Sequence, residues 1–308
     1  MRVLVAGATG AVGRRLVPRL EAAGHEVVGL SRRGPRPVDV LDAGAVRRAV
    51  AEAAPDAVVH QLTDLGGADG AANNRVRVEG TRNLVDAARG AGVGRIVAQS
   101  ISWAYVPGDG PADESVPLDP TDEPPRSRIV AGVRALEEAV AELPEAVVLR
   151  YGILYGPGTW YAPGGAVAAP LARDPAAPLR GSTAADDAVS SFVHVADAAE
   201  AAVRALAWPS GAYNVVDDEP APGHAWLPVL AEALGVPAPA RSGGGAAWAR
   251  GAVNGRARAL GWAPAHPAGR AGVADRGPGG PAGPRSGCST SRRARRRAAG
   301  RCACRRGP

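Results

Sequence analysis

The chain has 308 residues, 46% hydrophobic and 21% charged, a balance that supports a globular core and excludes a disordered polymer. It contains no lysine, all 36 basic residues being arginine, so Schiff-base chemistry and a P-loop lysine are excluded. The formal charge of +6 is unevenly spread: residues 1–269 carry 25 arginines against 29 acids, and residues 270–308 carry 11 arginines, one acid and all three cysteines.

The N-terminus runs straight into an apolar, β-branched segment, Arg2–Ala6, that reads as a buried strand. It has none of the features of a signal peptide, and no apolar run reaches the roughly 18 residues of a membrane span, so a cytoplasmic protein with no membrane partner is expected. Val12, Leu16, Leu20 and Ala23 follow at helical spacing, with Gly24 as the stop and Pro18 as an internal weak point. Strands are expected at Glu26–Leu30, Val38–Val40, Ala57–His60 and Arg95–Gln99, with helices at Ala43–Ala53 and Ala71–Arg89. Helical periodicity returns at Ile129–Ala141, and Ala146–Arg150 reads as a sixth strand. Beyond Tyr151 the chain is rich in Gly and Pro; helices are expected at Val195–Ala207 and Ala225–Leu234 and a strand at Ala212–Val215. Strand–helix alternation with apolar strands implies an α/β fold, a doubly wound parallel sheet of the Rossmann kind with about seven strands. Residues 1–150 are the expected nucleotide-binding domain, with the first glycine turn at the sheet's centre, and 151–269 a small substrate lobe interleaved with it.

Between the first strand and helix lies Gly7-Ala8-Thr9-Gly10-Ala11-Val12-Gly13. Gly7 permits the tight turn, Gly10 lets a pyrophosphate approach the backbone, and Gly13 lets the helix pack close to the sheet. The free N–H groups of the first helical turn then face the anion. After the second strand stand Ser31, Arg32 and Arg33, where an acid would favour NAD. A hydroxyl and guanidiniums suit a 2′-phosphate, which favours NADP, with NAD as the alternative.

These segments resemble the extended branch of the short-chain dehydrogenase/reductase superfamily, the NAD-dependent epimerases and dehydratases. Asp39-Val40 resembles that family's adenine-contacting pair, and Val58-Val59-His60-Gln61-Leu62-Thr63 its segment beside the cofactor. Gly80-Thr81-Arg82-Asn83-Leu84 resembles its fourth helix. Leu149 to Gly158 resembles the segment that runs along the nicotinamide, which implies that Tyr151 lies by that ring. Phe192–Ala199, Tyr213-Asn214-Val215 and Leu260–Pro264 match later landmarks. The resemblance covers about residues 1–268. It implies an NAD(P)-dependent oxidoreductase or epimerase acting on a small carbonyl, alcohol or nucleotide sugar. It is compatible with a homodimer and implies no nucleic acid.

The resemblance breaks at the family's catalytic Tyr-x-x-x-Lys, whose places fall on Ile129 and Val133. The family's asparagine before Gly-Thr is replaced by Arg77. Ser100 and Ser102 follow the fifth strand, where the family places a group that polarises the substrate carbonyl, and Tyr105 or a water is the expected proton donor. Arg128 could only orient an anion. Trp160 and Tyr161 are candidate pocket walls, and His194 reads as structural. No histidine–carboxylate grouping has metal-ligand spacing along the chain, so no metal is expected. An enzyme is the first reading, and a non-catalytic NAD(P)-binding module the second. The tail beyond residue 269 has no apolar periodicity; it is expected to be disordered and dispensable, and it has the composition of a frame-shifted reading of a GC-rich gene.

Overall fold

The structure, a computed structural model, describes residues 1–33, 37–65, 70–162, 164–173 and 184–268. The elements in order are β1 (Arg2–Ala6), α1 (Gly13–Ala22), β2 (Glu26–Leu30), α2 (Ala43–Ala53), β3 (Ala57–His60), α3 (Ala71–Arg75), a π-turn at Val76–Gly80, α4 (Thr81–Gly90), β4 (Arg95–Ile101), α5 (Arg126–Val140) and β5 (Glu145–Tyr151). Then come β6 (Ile153–Tyr155), α6 (Ala168–Arg173), β7 (Val189–Ser190), β8 (Phe192–His194), α7 (Val195–Arg204), β9 (Gly211–Val215), β10 (Ala221–Pro222), α8 (Gly223–Leu234) and α9 (Gly255–Ala259).

Six strands form one parallel sheet in the order β2-β1-β3-β4-β5-β9. Its central strands are apolar on both faces because helices cover both. Val3, Val5, Val59, Val97, Val147 and Leu149 pack on the side of α1 and α7. Leu4, Ala6, Val58, Ile96, Ala98 and Val148 pack on the side of α2, α4 and α5. Asp42 caps α2, its carboxylate accepting the Ala45 N–H at 2.9 Å. Among the described residues no helix is long and apolar enough to cross a membrane.

Several elements differ from the sequence expectation. Val38–Val40 forms no strand: among the described residues the ladder contact here is an isolated bridge from Ser31 to Pro37, with the Val38 N–H on the Ser31 carbonyl at 2.9 Å. Pro37 has no N–H to donate. Asp39 turns the chain by accepting the Leu41 N–H at 3.0 Å, and Val40 buries beneath Gly80. Among the described residues the main sheet has six strands, close to the number expected, and β1 lies one in from the edge rather than at the centre. The single helix expected at Ala71–Arg89 is interrupted by the π-turn. Helix α5 starts at Arg126, earlier than the periodicity indicated, and Pro18 is accommodated within α1. The basic tail lies outside the described residues.

Past β5 the chain builds two small ladders, β6 with β8 and β7 with β10, around a core of Tyr155, Tyr161, Phe192, Trp226, Leu227 and Leu230. Gly152 makes the junction: a Cβ there would sit 2.8 Å from backbone atoms of Ser191 and Phe192. The main sheet also holds a buried polar network. Glu137 of α5 and Arg150 of β5 form a paired ion contact, Nη2 to Oε2 at 2.6 Å and Nε to Oε1 at 3.0 Å. The side chains are only 9% and 13% exposed, Arg150 and Glu137 respectively. Burial alone would pull the Arg150 pKa down, but the bonds and charge of Glu137 outweigh it and hold it above its ordinary value.

Gly152→Ala is expected to cost about 1–3 kcal/mol in denaturant unfolding, since only backbone can move to make room. Glu137→Ala, which leaves a buried guanidinium without its counter-ion, is expected to cost about 3–5 kcal/mol. A loss below about 1 kcal/mol in the same experiment would mean that water reaches Arg150 freely.

Candidate active site

The carboxyl ends of β1, β3, β4 and β5 open on one edge of the sheet, where a doubly wound fold places its ligand. Gly7 leaves β1 at φ 93°, its N–H on the Leu30 carbonyl at 2.8 Å. A Cβ on Gly7 would lie 2.5 Å from the Gln61 carbonyl oxygen, and one on Gly13 would collide with the Gly7 carbonyl. These two glycines let the turn fold against β3 and start α1 at once. Gly10 closes the turn, donating to the Gly7 carbonyl at 3.0 Å. Thr9 is exposed, Ala8 is half-buried over Gly29, and Val12 is in the core.

The N–H groups of Ala11, Val12 and Gly13 find no acceptor among the described residues, and the first turn of α1 carries no acid. Three donors at the positive end of a helix fit the pyrophosphate of a dinucleotide. Beside them, the Gln61 side-chain amide is buried close enough to pull the Tyr151 pKa back down, yet neither its nitrogen nor its oxygen completes a hydrogen bond. Such an amide is costly to leave unsatisfied and fits a polar ligand edge.

At the ribose end, Arg32 is exposed and pairs with Asp64 at 2.7 Å. The Ser31 hydroxyl donates to the Arg33 carbonyl. The Val40 carbonyl accepts from Asn83 at 2.9 Å. At the end of β3, burial holds the His60 pKa down at about 4, so the ring is neutral. Its Nδ1 accepts the Leu62 N–H at 3.1 Å, which leaves Nε2 to donate to the Thr81 hydroxyl at 2.9 Å. His60 thereby fixes the Gln61–Leu62 turn against the start of α4.

The three groups expected to carry chemistry are placed very differently. Ser100 is paired in register with Arg150 across β4 and β5, and its hydroxyl donates to Glu137 Oε1 at 2.7 Å. The Tyr105 hydroxyl donates to Asn214 Oδ1 at 2.6 Å and accepts from Arg150 Nη1 at 3.0 Å. Burial raises its pKa against the pull of Arg150. Ser100 and Tyr105 are thus members of one buried network. The Ser102 hydroxyl carries no hydrogen bond among the described residues, while its N–H holds the Tyr151 carbonyl at 2.9 Å. Tyr151 is buried, its hydroxyl on the Ala198 carbonyl at 3.2 Å, and burial raises its pKa.

On α5, Val133 is fully buried and Ile129 half-buried. Arg128 is exposed. Arg77, on the π-turn that packs against α5, makes no hydrogen bond or ion pair among the described residues. Burial lowers its pKa to about 10, still far above neutrality, so it remains a desolvated cation that lacks a counter-ion. Tyr161 belongs to the core of the smaller ladders rather than to a pocket wall, edge-on to Phe192 and Trp226.

Sequence reasoning missed Glu137 and Arg150. The signal was the shared register of Ser100 and Arg150, two polar residues on one face of apolar strands. It also missed a grouping that spacing cannot show: donor atoms of His194, Asp197 and His266 lie within 4.8 Å of one another. Asp197 Oδ2 accepts both the His266 N–H at 2.9 Å and its Nδ1 at 3.0 Å. The His194 and His266 rings stack at 3.8 Å, 35° from parallel. The cluster ties the segment around His266 to the first turn of α7.

The sequence model of the NAD dependent epimerase/dehydratase family matches residues 3–216. A Streptomyces sp. protein named 3-diazoavenalumate denitrifying reductase is 45% identical over 304 residues, covering 88% of this chain and 98% of that protein. The dTDP-4-dehydrorhamnose reductase of Streptomyces griseus is 38% identical over 168 residues, 51% of each chain. The crystal structure of UDP-glucose 4-epimerase from Thermus thermophilus in complex with NAD superposes with a TM-score of 0.71 at 28% identity, covering 89% of this chain and 97% of that one. A full-length match of this kind, on a glycine turn and sheet of this geometry, makes the chain a member of the NAD-dependent epimerase/dehydratase family and a reductase- or epimerase-like enzyme.

Proposed function

We propose that this protein is an NADPH-dependent reductase that delivers hydride in a reaction requiring no proton from the enzyme, the reductive removal of a diazo group. The observation that carries this reading is the apolar pair Ile129 and Val133, standing where the family keeps its tyrosine and lysine, in a chain without lysine. A ketone takes hydride at carbon and a proton at oxygen, so its reduction needs an acid within reach. A diazo group in its cationic diazonium form differs. Hydride adds, the carbon–nitrogen bond breaks, dinitrogen leaves with the bonding pair, and charge balances with no proton moved. The name of the Streptomyces sp. relative specifies a diazo substrate and the loss of its nitrogen.

A bound nicotinamide supplies the hydride. The chain's own groups do the rest by holding and orienting. The N–H groups of Ala11, Val12 and Gly13 take the pyrophosphate. Arg32, released from Asp64, takes a 2′-phosphate beside Ser31, with Asp39 and Val40 on the adenosine side. Gln61 and Leu62 border the nicotinamide, and Tyr151 packs beneath Gln61. Ser102 has the free hydroxyl that orients the substrate. Ser100 and Tyr105, engaged in the buried network, hold the wall in place rather than touch the reacting atoms.

With NADPH deuterated at C4 and a diazo-bearing carboxylate, the expected outcome is deuterium on the carbon that lost nitrogen, one dinitrogen per turnover, and a rate flat between about pH 6 and pH 9. A rate that follows a titrating group, or turnover confined to ketones and nucleotide sugars, would overturn the reading. Arg32→Ala is expected to weaken NADPH by roughly tenfold to a hundredfold and leave NADH nearly unchanged. Equal losses for both would overturn the assignment to NADP.

A further inference from the structure

Two tryptophans stand apart from the other aromatic residues. Trp208, Trp226 and Trp262 are buried. Trp160 is half-buried against the core of the smaller ladders. Trp103 and Trp248 are half-buried, and they belong to no apolar core cluster among the described residues. Trp103 comes directly after Ser102, where β4 leaves the sheet at the ligand edge. Trp248 arrives from the segment before α9, 145 positions later in the chain, and the two rings meet at 6.1 Å between centroids, tilted by 40°.

The pair is held in place from behind. Arg126 sits 4.2 Å above the Trp248 ring. Its guanidinium is itself fixed by Asp119 at 2.6 Å, by the Trp103 carbonyl at 3.1 Å and by the Tyr105 carbonyl at 2.8 Å. A buried ion pair thus holds the Trp103 backbone and one face of the Trp248 indole. Aromatic surface left partly in water is unfavourable, and a flat ring laid against it removes that surface from water at little cost in side-chain entropy.

We infer that Trp103 and Trp248 form the aromatic wall of the substrate site beside Ser102 and select a planar aromatic ring. This names the substrate class of the reductase proposed above and rests on that reading for the place of the site. Its test needs no turnover. The full-length protein saturated with NADPH is titrated with cinnamate and with its saturated, non-planar counterpart 3-cyclohexylpropanoate, by calorimetry and by tryptophan fluorescence. Cinnamate is expected to bind about tenfold more tightly and to quench the fluorescence. Trp103→Leu and Trp248→Leu are each expected to bring that ratio down to about twofold or less, with NADPH affinity kept, and Trp248→Phe to retain most of it. Equal affinities in the wild type, no cinnamate binding at all, or a ratio unchanged in both leucine variants would overturn the inference. Where a leucine variant does not fold, the wild-type ratio and Trp248→Phe decide. A preference for cinnamate without diazo turnover would leave the wall standing and overturn the reaction; diazo turnover without the preference would do the reverse.

Discussion

A carboxylate and a guanidinium buried between α5 and β5 organise the carboxyl edge of the sheet, where the candidate site lies. Taking Glu137 and Arg150 out of water costs several kcal/mol per charge, by the usual order of magnitude. It is offset here because both partners are hydrogen-bonded beyond the pair itself. Ser100 donates to Glu137, Arg150 donates to Tyr105, and Tyr105 donates to Asn214. The pair therefore joins β4, α5, β5 and β9 through polar contacts in a region where the sheet is otherwise apolar. It also decides which hydroxyls can meet a ligand. Two of the three expected at the mouth are locked into the network, and Ser102, one residue past the last turn of the ladder, is left over.

How the sheet forms was largely legible from the chain. Runs such as Val3–Ala6 and Ala57–His60 are buried on both faces, and only a parallel sheet covered by helices wants strands without alternation. The glycine turn was legible for the same reason, because two of its three glycines sit where a Cβ cannot. What was not legible depended on competition between weak signals. Val38–Val40 has strand-like side chains, but Pro37 just before it and the Asp39 turn remove the backbone partners a strand needs. The π-turn at Val76–Gly80 hides inside a helical pattern because one wide turn hardly disturbs the apolar stripe. In the candidate site, the backbone cradle was readable and the side-chain chemistry was not. Glu137 looks like any exposed helical acid until β5 brings Arg150 over it, and Trp248 has no local signal that it will meet Trp103.

The chain's exclusive use of arginine gives its site an unusual character. A guanidinium stays charged near neutrality, so none of these cations can work as a base. They differ only in what they face. Arg150 and Arg126 are saturated by carboxylates and carbonyls and serve as braces. Arg32 holds Asp64 loosely at the surface. Arg77 is half-buried and has no anionic partner among the described residues. Charge at this edge of the sheet is permanent and positional, and proton traffic has few stations.

Strand β9 pairs with β5 although some sixty residues separate them, and Asn214 on β9 is the last acceptor of the buried network. The order of synthesis therefore differs from the order of assembly. A nascent chain that has just completed β5 has five of its six strands, but Tyr105 lacks its acceptor and the outer edge of β5 is unpaired. The ion pair can reach its final surroundings only after residue 215 has left the ribosome. The first half of this protein is thus a domain in outline that must wait for a short strand from the second half before its charged centre can close, and that interval is when β5 is most open to pairing with another chain.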